Sequence, residues 1–285
     1  MTGAPTPPRV VSLVPSATET LRAWGVTPAA CTRFCEQPDL PHVGGTKDPD
    51  VAAIVELAPD LVVMCVEENR REDADALAAA GLATAALAID AVADVPPALR
   101  MLAALTGAEA AGAADIAAAD AVAAEAVVAE AAVAEAADAA AGVAAADVAD
   151  AAAAVDAAAG DAAAAAAVDP SGRLRAFVPI WKRPWMTMSG GTYGSSLLAA
   201  LGVANVFADA DVRYPTVTLD EVRARRPDVV LAPSEPYPFA ARHVPLFEDV
   251  APVVLVDGQD LFWWGVRTPA AIGRLRDQLA GLGPA

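Results

Sequence analysis

The stretch VAAIVELAPDLVVMCVEEN, residues 51–69, decides how the chain is read. Apolar residues at helical spacing run from Val51 to Leu57, and Pro59 stops the helix because the residue before a proline is pushed out of the helical basin. LVVMCV (61–66) is then an unbroken apolar run of strand length. A helix that leads through Pro-Asp straight into a buried strand is half of a parallel βαβ unit. The pattern returns in LDEVRARRPDVVLAPSEPY, residues 219–237, as helix, Pro-Asp, strand and acidic loop. Two α/β lobes built alike are expected.

Working outward, RVVSLV (9–14) reads as a strand and PSATETLRAWG (15–25) as a capped helix closed by glycine, while GGTKDPD (44–50) offers Asp48 or Asp50 as the cap of the helix that follows. In the second half, AFVPI (176–180), VVLAPS (229–234) and VVLV (253–256) read as strands. SSLLAALGV (195–203) and PAAIGRLRDQLAGL (269–282) read as helices. Helices entered from turns after parallel strands begin at the carboxyl edge of a sheet, where α/β proteins meet their ligands. The expected organisation is an N-terminal lobe over 1–105, a helical connector over 106–173 and a C-terminal lobe over 174–285.

The connector has its own composition. No Lys or Arg occurs between Arg100 and Arg173, and twelve carboxylates from Glu109 to Asp169 carry two-thirds of the formal net charge of −18. Alanine dominates, so long helices are expected, with Gly142 and Gly160 marking breaks. The acidic face reads as the solvated side of a connecting helix rather than a docking surface.

A chain of 285 residues, 56% hydrophobic, can build sizeable cores. Its acidity argues against nucleic-acid binding, which rests on clustered Lys and Arg. No run reads as a membrane segment. The opening MTGAPTPPRVVSLVPS lacks a basic region followed by a sustained apolar one, so as written the expectation is a cytoplasmic protein, or a periplasmic or cell-surface one if an export signal is missing. Cys31, Cys35 and Cys65 are odd in number and fit reduced thiols. With His42 they match no zinc spacing and read as packing thiols, so no metal site is expected.

The sequence shows no nucleophile elbow, no P-loop and no dinucleotide fingerprint, and its two histidines, His42 and His243, stand apart from any Ser or Cys motif. A non-enzymatic role is expected, with no intrinsic cofactor. GGTYG (190–194) reads as a turn into the following helix. Seven of the eight Trp and Tyr residues, namely Trp181, Trp185, Tyr193, Tyr214, Tyr237, Trp263 and Trp264, follow predicted strands or lie in loops, which favours a concave binding surface over core packing. Trp24, on a helix end, reads as packing. Charged and polar groups share that address: Lys182, Arg183, Arg213, Glu235, Asp257, Asp260 and Arg267 in the second half, and Glu36, Lys47, Glu67, Glu68 and Asn69 in the first.

RVVSLVPSATETLRAWG, GGTKDPDVAAIVELAPDLVVMCVEENRREDADALAAAGL and GGTYGSSLLAALGVANVFADADVRYPTVTLDEVRARRPDVVL resemble the cobalamin- and ferric-siderophore-binding proteins of ABC importers. These are the helical-backbone metal receptors, and the chain is most like their cobalamin-binding branch. The resemblance covers residues 9–105 and 174–282. It implies two Rossmann-like lobes with central parallel sheets, joined by a long backbone helix, with the ligand in a cleft between the lobes. The implied ligand is a corrinoid or a ferric chelate, the implied partner an ABC permease, and the chain a monomer.

Carried over position by position, the resemblance implies that Phe34 and the loop from Cys65 to Asn69, with Glu67 and Glu68, line the first lobe. Ile180, Trp181, Trp185, Tyr214, Asp260 and Trp263 would line the second, with Tyr193, Trp264 and Arg267 nearby. Lys47 stands near a position where cobalamin binders often have tryptophan. Asp220, next to Glu221, occupies one permease-docking position, while the other falls at Ala52 or Ala53 with only Asp48 and Asp50 close by. The siderophore alternative would draw on Lys47, Lys182, Arg183, Arg213 and Arg267 as cations. A haem alternative would need an axial ligand such as Tyr193, Tyr214 or Tyr237, and a regulator or enzyme reusing the two lobes is the reading from another class.

Overall fold

The computed structural model of the chain describes residues 7–151 and 172–282. They fall into two compact units, Met1–Ala123 with Trp263–Ala270, and Ala124–Phe262 with Ala271–Ala285.

The first unit holds a parallel sheet of β1 (Val10–Ser12), β2 (Ala30–Cys31), β3 (Leu61–Cys65) and β4 (Thr84–Leu87), in the order β2-β1-β3-β4. Helices α1 (Pro15–Ala23), α2 (Val51–Leu57), α3 (Arg71–Ala79) and α4 (Val95–Thr106) connect and flank it. β3 is buried along its whole length, as a strand covered on both faces must be. Val11, Leu13, Ile54, Val62, Met64 and Leu77 close one face of this core.

The second unit repeats the plan. β5 (Leu174–Phe177), β7 (Val203–Asn205), β9 (Val229–Pro233) and β10 (Val253–Val256) form a parallel sheet in the order β10-β9-β5-β7. Counted within each sheet, both orders are 2-1-3-4. A short antiparallel pair, β6 (Trp185–Met186) with β8 (Thr216–Val217), is added. The helices are α6 (Tyr193–Ala200), α7 (Leu219–Ala224), α8 (Gly258–Phe262) and α9 (Thr268–Leu279). The core gathers Phe177, Phe207, Val222, Val230, Phe239 and Phe247.

The repeated Pro-Asp has one job in both units. The Asp60 carboxylate accepts from the backbone N–H of Arg9 at 2.7 Å, and the Asp60 N–H donates back to the Arg9 carbonyl at 2.9 Å. Asp228 and Arg175 repeat this, at 2.7 Å and 2.8 Å. Each aspartate latches the amino end of the third strand to that of the first. The residue before each proline, Ala58 or Arg226, takes a left-handed conformation with φ of 43° or 47°, which ends the helix and turns the chain into the strand.

Two expectations are corrected in detail, and a choice between two candidate caps is resolved. Helix α1 starts at Pro15 with Val14 in the cap position and no side-chain cap, because valine carries no acceptor to offer the first-turn N–H groups. Of the two candidate caps of α2, Asp50 accepts from the Ala53 N–H at 3.0 Å, whereas Asp48 pairs with Arg33. Helix α5 (Glu109–Ala151) runs 43 residues without a break at Gly142. A helical glycine costs only about 1 kcal/mol against alanine, and the surrounding alanines are the best helix formers available. Gly160 lies outside the described residues.

Candidate functional site

In the first unit the carboxyl ends of β1, β2 and β3 meet at one edge, and the loops leaving them are tied by Asn69. Its side-chain oxygen accepts from the Cys65 N–H at 2.7 Å, and its amide donates to the Leu13 carbonyl at 3.2 Å and the Thr46 carbonyl at 2.9 Å. The Lys47 ammonium donates to the Glu67 carbonyl at 2.6 Å, which brings Lys47 beside Glu67 and Glu68. Cys65 is buried beneath them, its thiol pushed up to about 12 by burial and then by the charge of Glu68. Phe34 stands on the turn after β2, half exposed, with the Arg33 guanidinium 4.8 Å from its ring centre and bonded to Asp48 at 3.0 and 3.1 Å.

The PSATE motif on α1 receives the segment Trp263–Ala270. Ser16 Oγ accepts from the Trp264 N–H at 3.3 Å, Thr20 Oγ1 from the Val266 N–H at 3.4 Å, and Glu19 binds Arg267 through two bonds of 2.6 and 2.7 Å. Gly265 has φ 113°, and a Cβ there would stand 2.3 Å from Thr20 Oγ1, so only glycine lets the segment come this close. Trp264 is buried, while Trp263 is half-buried with Arg267 over its ring at 5.0 Å. Trp263, expected on the second lobe, therefore stands in the first unit. Trp24 packs as expected, buried and donating through Nε1 to Asp115 at 2.8 Å.

In the second unit the chain leaving β5 folds back on itself. The Ile180 N–H donates to the Met186 carbonyl and the Met186 N–H to the Trp181 carbonyl, making a tight loop of Trp181, Lys182, Arg183, Pro184 and Trp185. Arg183 sits at its tip in a left-handed conformation, φ 71°, a strained setting for a non-glycine residue. Among the described residues neither Lys182 nor Arg183 makes an ion pair.

The aromatic set divides in two. Trp185 stacks on Phe239, with 6.2 Å between ring centres and planes within 8°, and packs against Phe247, so it belongs to the core. Tyr193 and Ile180 are also buried. Trp181, in contrast, is 44% exposed, and among the described rings it meets Tyr237 in an edge-to-face contact with centres 5.6 Å apart. Tyr214 is half-buried on the loop before β8. His243, behind Tyr237, accepts at Nδ1 from the Ala240 N–H, and burial, then Arg242 and Lys182, push its pKa down.

Three carboxylates serve the local fold. Asp260 clamps α8 to α9 through two bonds of 2.6 Å to Arg274. Glu221 forms a capping box with Thr218, whose backbone N–H and hydroxyl hold its carboxyl below the usual range. Asp220 is 91% exposed and pairs with Arg223 one helical turn on. No described group of three or more His, Cys, Asp or Glu gathers as a metal site.

Residues 10–178 match the periplasmic binding protein family. The chain belongs to that family. A vitamin B12-binding protein of Salmonella choleraesuis is 25% identical over 231 residues, which cover 79% of this chain and 71% of that one. One of Vibrio cholerae is 32% identical over 57 residues, or 20% and 21% of the two chains. Across several of these relatives the chain spans 21% to 41% of their length. Among solved structures, the periplasmic vitamin B12 binding protein BtuF of Vibrio cholerae is similar with a TM-score of 0.68 at 18% identity, over 96% of this chain and 98% of that one. The periplasmic heme-binding protein BhuT is similar with a TM-score of 0.68 at 21% identity, over 95% and 97%. These likenesses show the fold, and it is that of a binding protein. No described helix is long and apolar enough to cross a membrane.

Proposed function

We propose that this family member is a non-enzymatic receptor for a corrinoid, a cobalamin-like metal chelate, captured reversibly on the carboxyl-edge loops. The observation that carries the reading is Trp181: an exposed indole at the carboxyl edge of the second sheet, backed by Tyr237 in an otherwise packed aromatic cluster. A wide apolar face of this kind suits a flat macrocycle, and the loop cations beside it suit the amide or phosphate groups that surround one. Phe34 and the group of Lys47, Glu67 and Glu68 form the corresponding face of the first unit, to be tested separately. The vitamin B12-binding relatives support the same ligand class.

The heme-binding fold relative makes haem the second reading. An anionic siderophore is less well supported, because three of the five cations it would need are otherwise engaged. Arg267 is held by Glu19, Lys47 by the Glu67 carbonyl, and Arg213 has partners of its own. Titrating the purified protein with cobalamin, cobinamide, haemin and ferric siderophores tests the proposal. Submicromolar binding of one of the first two is expected, and tight binding of ferric chelates or haemin alone would overturn it. Exposed Asp220 is our candidate for contact with a permease, and cell fractionation tests the compartment in which that contact would occur.

A further inference from the structure

One indole of the first unit is held in place by an ion pair. Ser16, Glu19 and Thr20 stand at helical spacing on one face of α1, and all three bind the segment Trp263–Ala270. Ser16 lies in the first turn of a helix that begins at Pro15, just after β1 ends at Ser12, so its bond to the Trp264 N–H puts Trp263 at the carboxyl edge of the first sheet. There the Arg267 guanidinium lies over the Trp263 ring at 5.0 Å, and its Nε and one Nη donate to the two carboxylate oxygens of Glu19 in a fork-to-fork pair. The Arg267 side chain is only 14% exposed and that of Glu19 31%, so water competes little for the pair. Trp263 itself is half-buried, and the rest of its surface is left for a ligand.

We propose, on the receptor reading given above, that Glu19 is a specificity-determining residue that acts through Arg267 and Trp263. By gripping the guanidinium it keeps a flat cation against one face of the indole, which fixes the ring and leaves its remaining surface to meet a macrocycle. It also cancels the charge of Arg267. This part of the carboxyl edge therefore meets a ligand as an apolar face with no net cation, which favours a neutral corrinoid over a ligand that carries carboxylates. Glu19 and Arg267 are positioning residues, and Trp263 is the group that touches the ligand. A ring already held in its bound orientation need not be ordered on binding, which is worth about threefold to tenfold in affinity.

The test labels the full chain with 5-fluorotryptophan, assigns the Trp263 fluorine resonance from its loss in Trp263→Phe, and titrates each variant with cobalamin and with haemin. Without ligand, Glu19→Gln and Arg267→Met should shift or broaden the Trp263 resonance while those of Trp24, Trp181 and Trp185 stay in place, which also reports that the variants are folded. Both variants should bind cobalamin about threefold to tenfold more weakly. Haemin, which carries carboxylates, separates them. Glu19→Gln leaves the guanidinium charge uncompensated and should raise haemin affinity by up to about fivefold, whereas Arg267→Met leaves the Glu19 carboxylate unpaired and should lower it. A residue serving only the fold would weaken both ligands in both variants. An unchanged Trp263 resonance, or haemin affinity that moves the same way in both variants, would overturn the proposal. If the wild-type protein binds no corrinoid, the corrinoid reading falls, and the fluorine spectra with the haemin titrations still decide the role of Glu19.

Discussion

Replacing Trp181 and Trp185 one at a time by alanine separates a ligand surface from a core residue four positions away. Trp181 is 44% exposed. A tryptophan presents at most about 250 Å², so on the order of 100 Å² remains for a ligand to cover. At about 25 cal/mol per Å² this is worth ~2.5 kcal/mol, a factor of about 70 in Kd. Its edge-to-face contact with Tyr237 is worth about 1 kcal/mol to the fold. Trp185 reverses the balance, because truncating its ring between Phe239 and Phe247 opens the core at a cost of roughly 3 kcal/mol, or about 6–12 °C in Tm. Calorimetric titration with cobalamin and thermal unfolding of both variants make the comparison. Trp181→Ala should bind about 70-fold more weakly and melt within a few degrees of wild type, while Trp185→Ala should melt early. If Trp181→Ala binds like wild type, or unfolds as early as Trp185→Ala, the assignment of Trp181 to the ligand face is wrong.

Asp228→Ala should cost about 1–2 kcal/mol in urea unfolding and Asp60→Ala about 1 kcal/mol, since the first bond is the more buried; Asn at either position keeps the acceptor oxygen and should recover part of the loss. The adjacent glycines of GGTYG should respond in opposite ways. A Cβ on Gly190 would stand 2.6 Å from the Ala208 carbonyl oxygen, so Gly190→Ala should lose about 1–3 kcal/mol, whereas nothing lies within 4 Å at Gly191 and Gly191→Ala should be neutral or slightly stabilising by the same measurement. His243 is buried with its pKa lowered, so the unfolded chain takes up the proton more readily; unfolding should become easier as pH falls below about 6.5 towards the folded value, and His243→Gln should flatten that dependence.

The βα alternation was legible because β-branched runs and Pro-Asp boundaries are local signals, and β1, β3, β9 and β10 lie where those signals fall. The function of the two aspartates was not legible, since each bonds a backbone more than fifty residues away, at Arg9 or Arg175. β4, with the sequence TAAL, has helix-forming alanines and becomes a strand only through its register with β3. The aromatic residues illustrate the same limit. Trp181 and Trp185 are equally loop-borne in sequence, and only the return of the chain between Ile180 and Met186 turns one outward and the other into the core. Likewise Trp264 is buried because its segment docks on Ser16 and Thr20, a contact spanning 248 and 246 residues that no local pattern announces.

The Asp60 and Asp228 latches sit at the amino ends of their sheets, whereas Phe34, Lys47 and Trp181 sit on loops at the carboxyl ends. This polarity follows from parallel strands, which put every βα loop on one edge and every αβ turn on the other. The Pro-Asp turns therefore hold the strand order from one edge, and side chains on the opposite loops can vary without disturbing it. Lys47 is a case in point: it donates to the Glu67 carbonyl, beyond the end of β3, and places a positive charge on the surface there without taking part in the sheet. The shared fold with vitamin B12- and heme-binding relatives is thus compatible with a different ligand preference, and the discriminating information lies in a few loop side chains. Lys182 and Arg183 are the pair in which it should be sought first. Among the described residues neither has a carboxylate partner, and exchanging both for glutamine should weaken an anionic chelate far more than a neutral corrinoid.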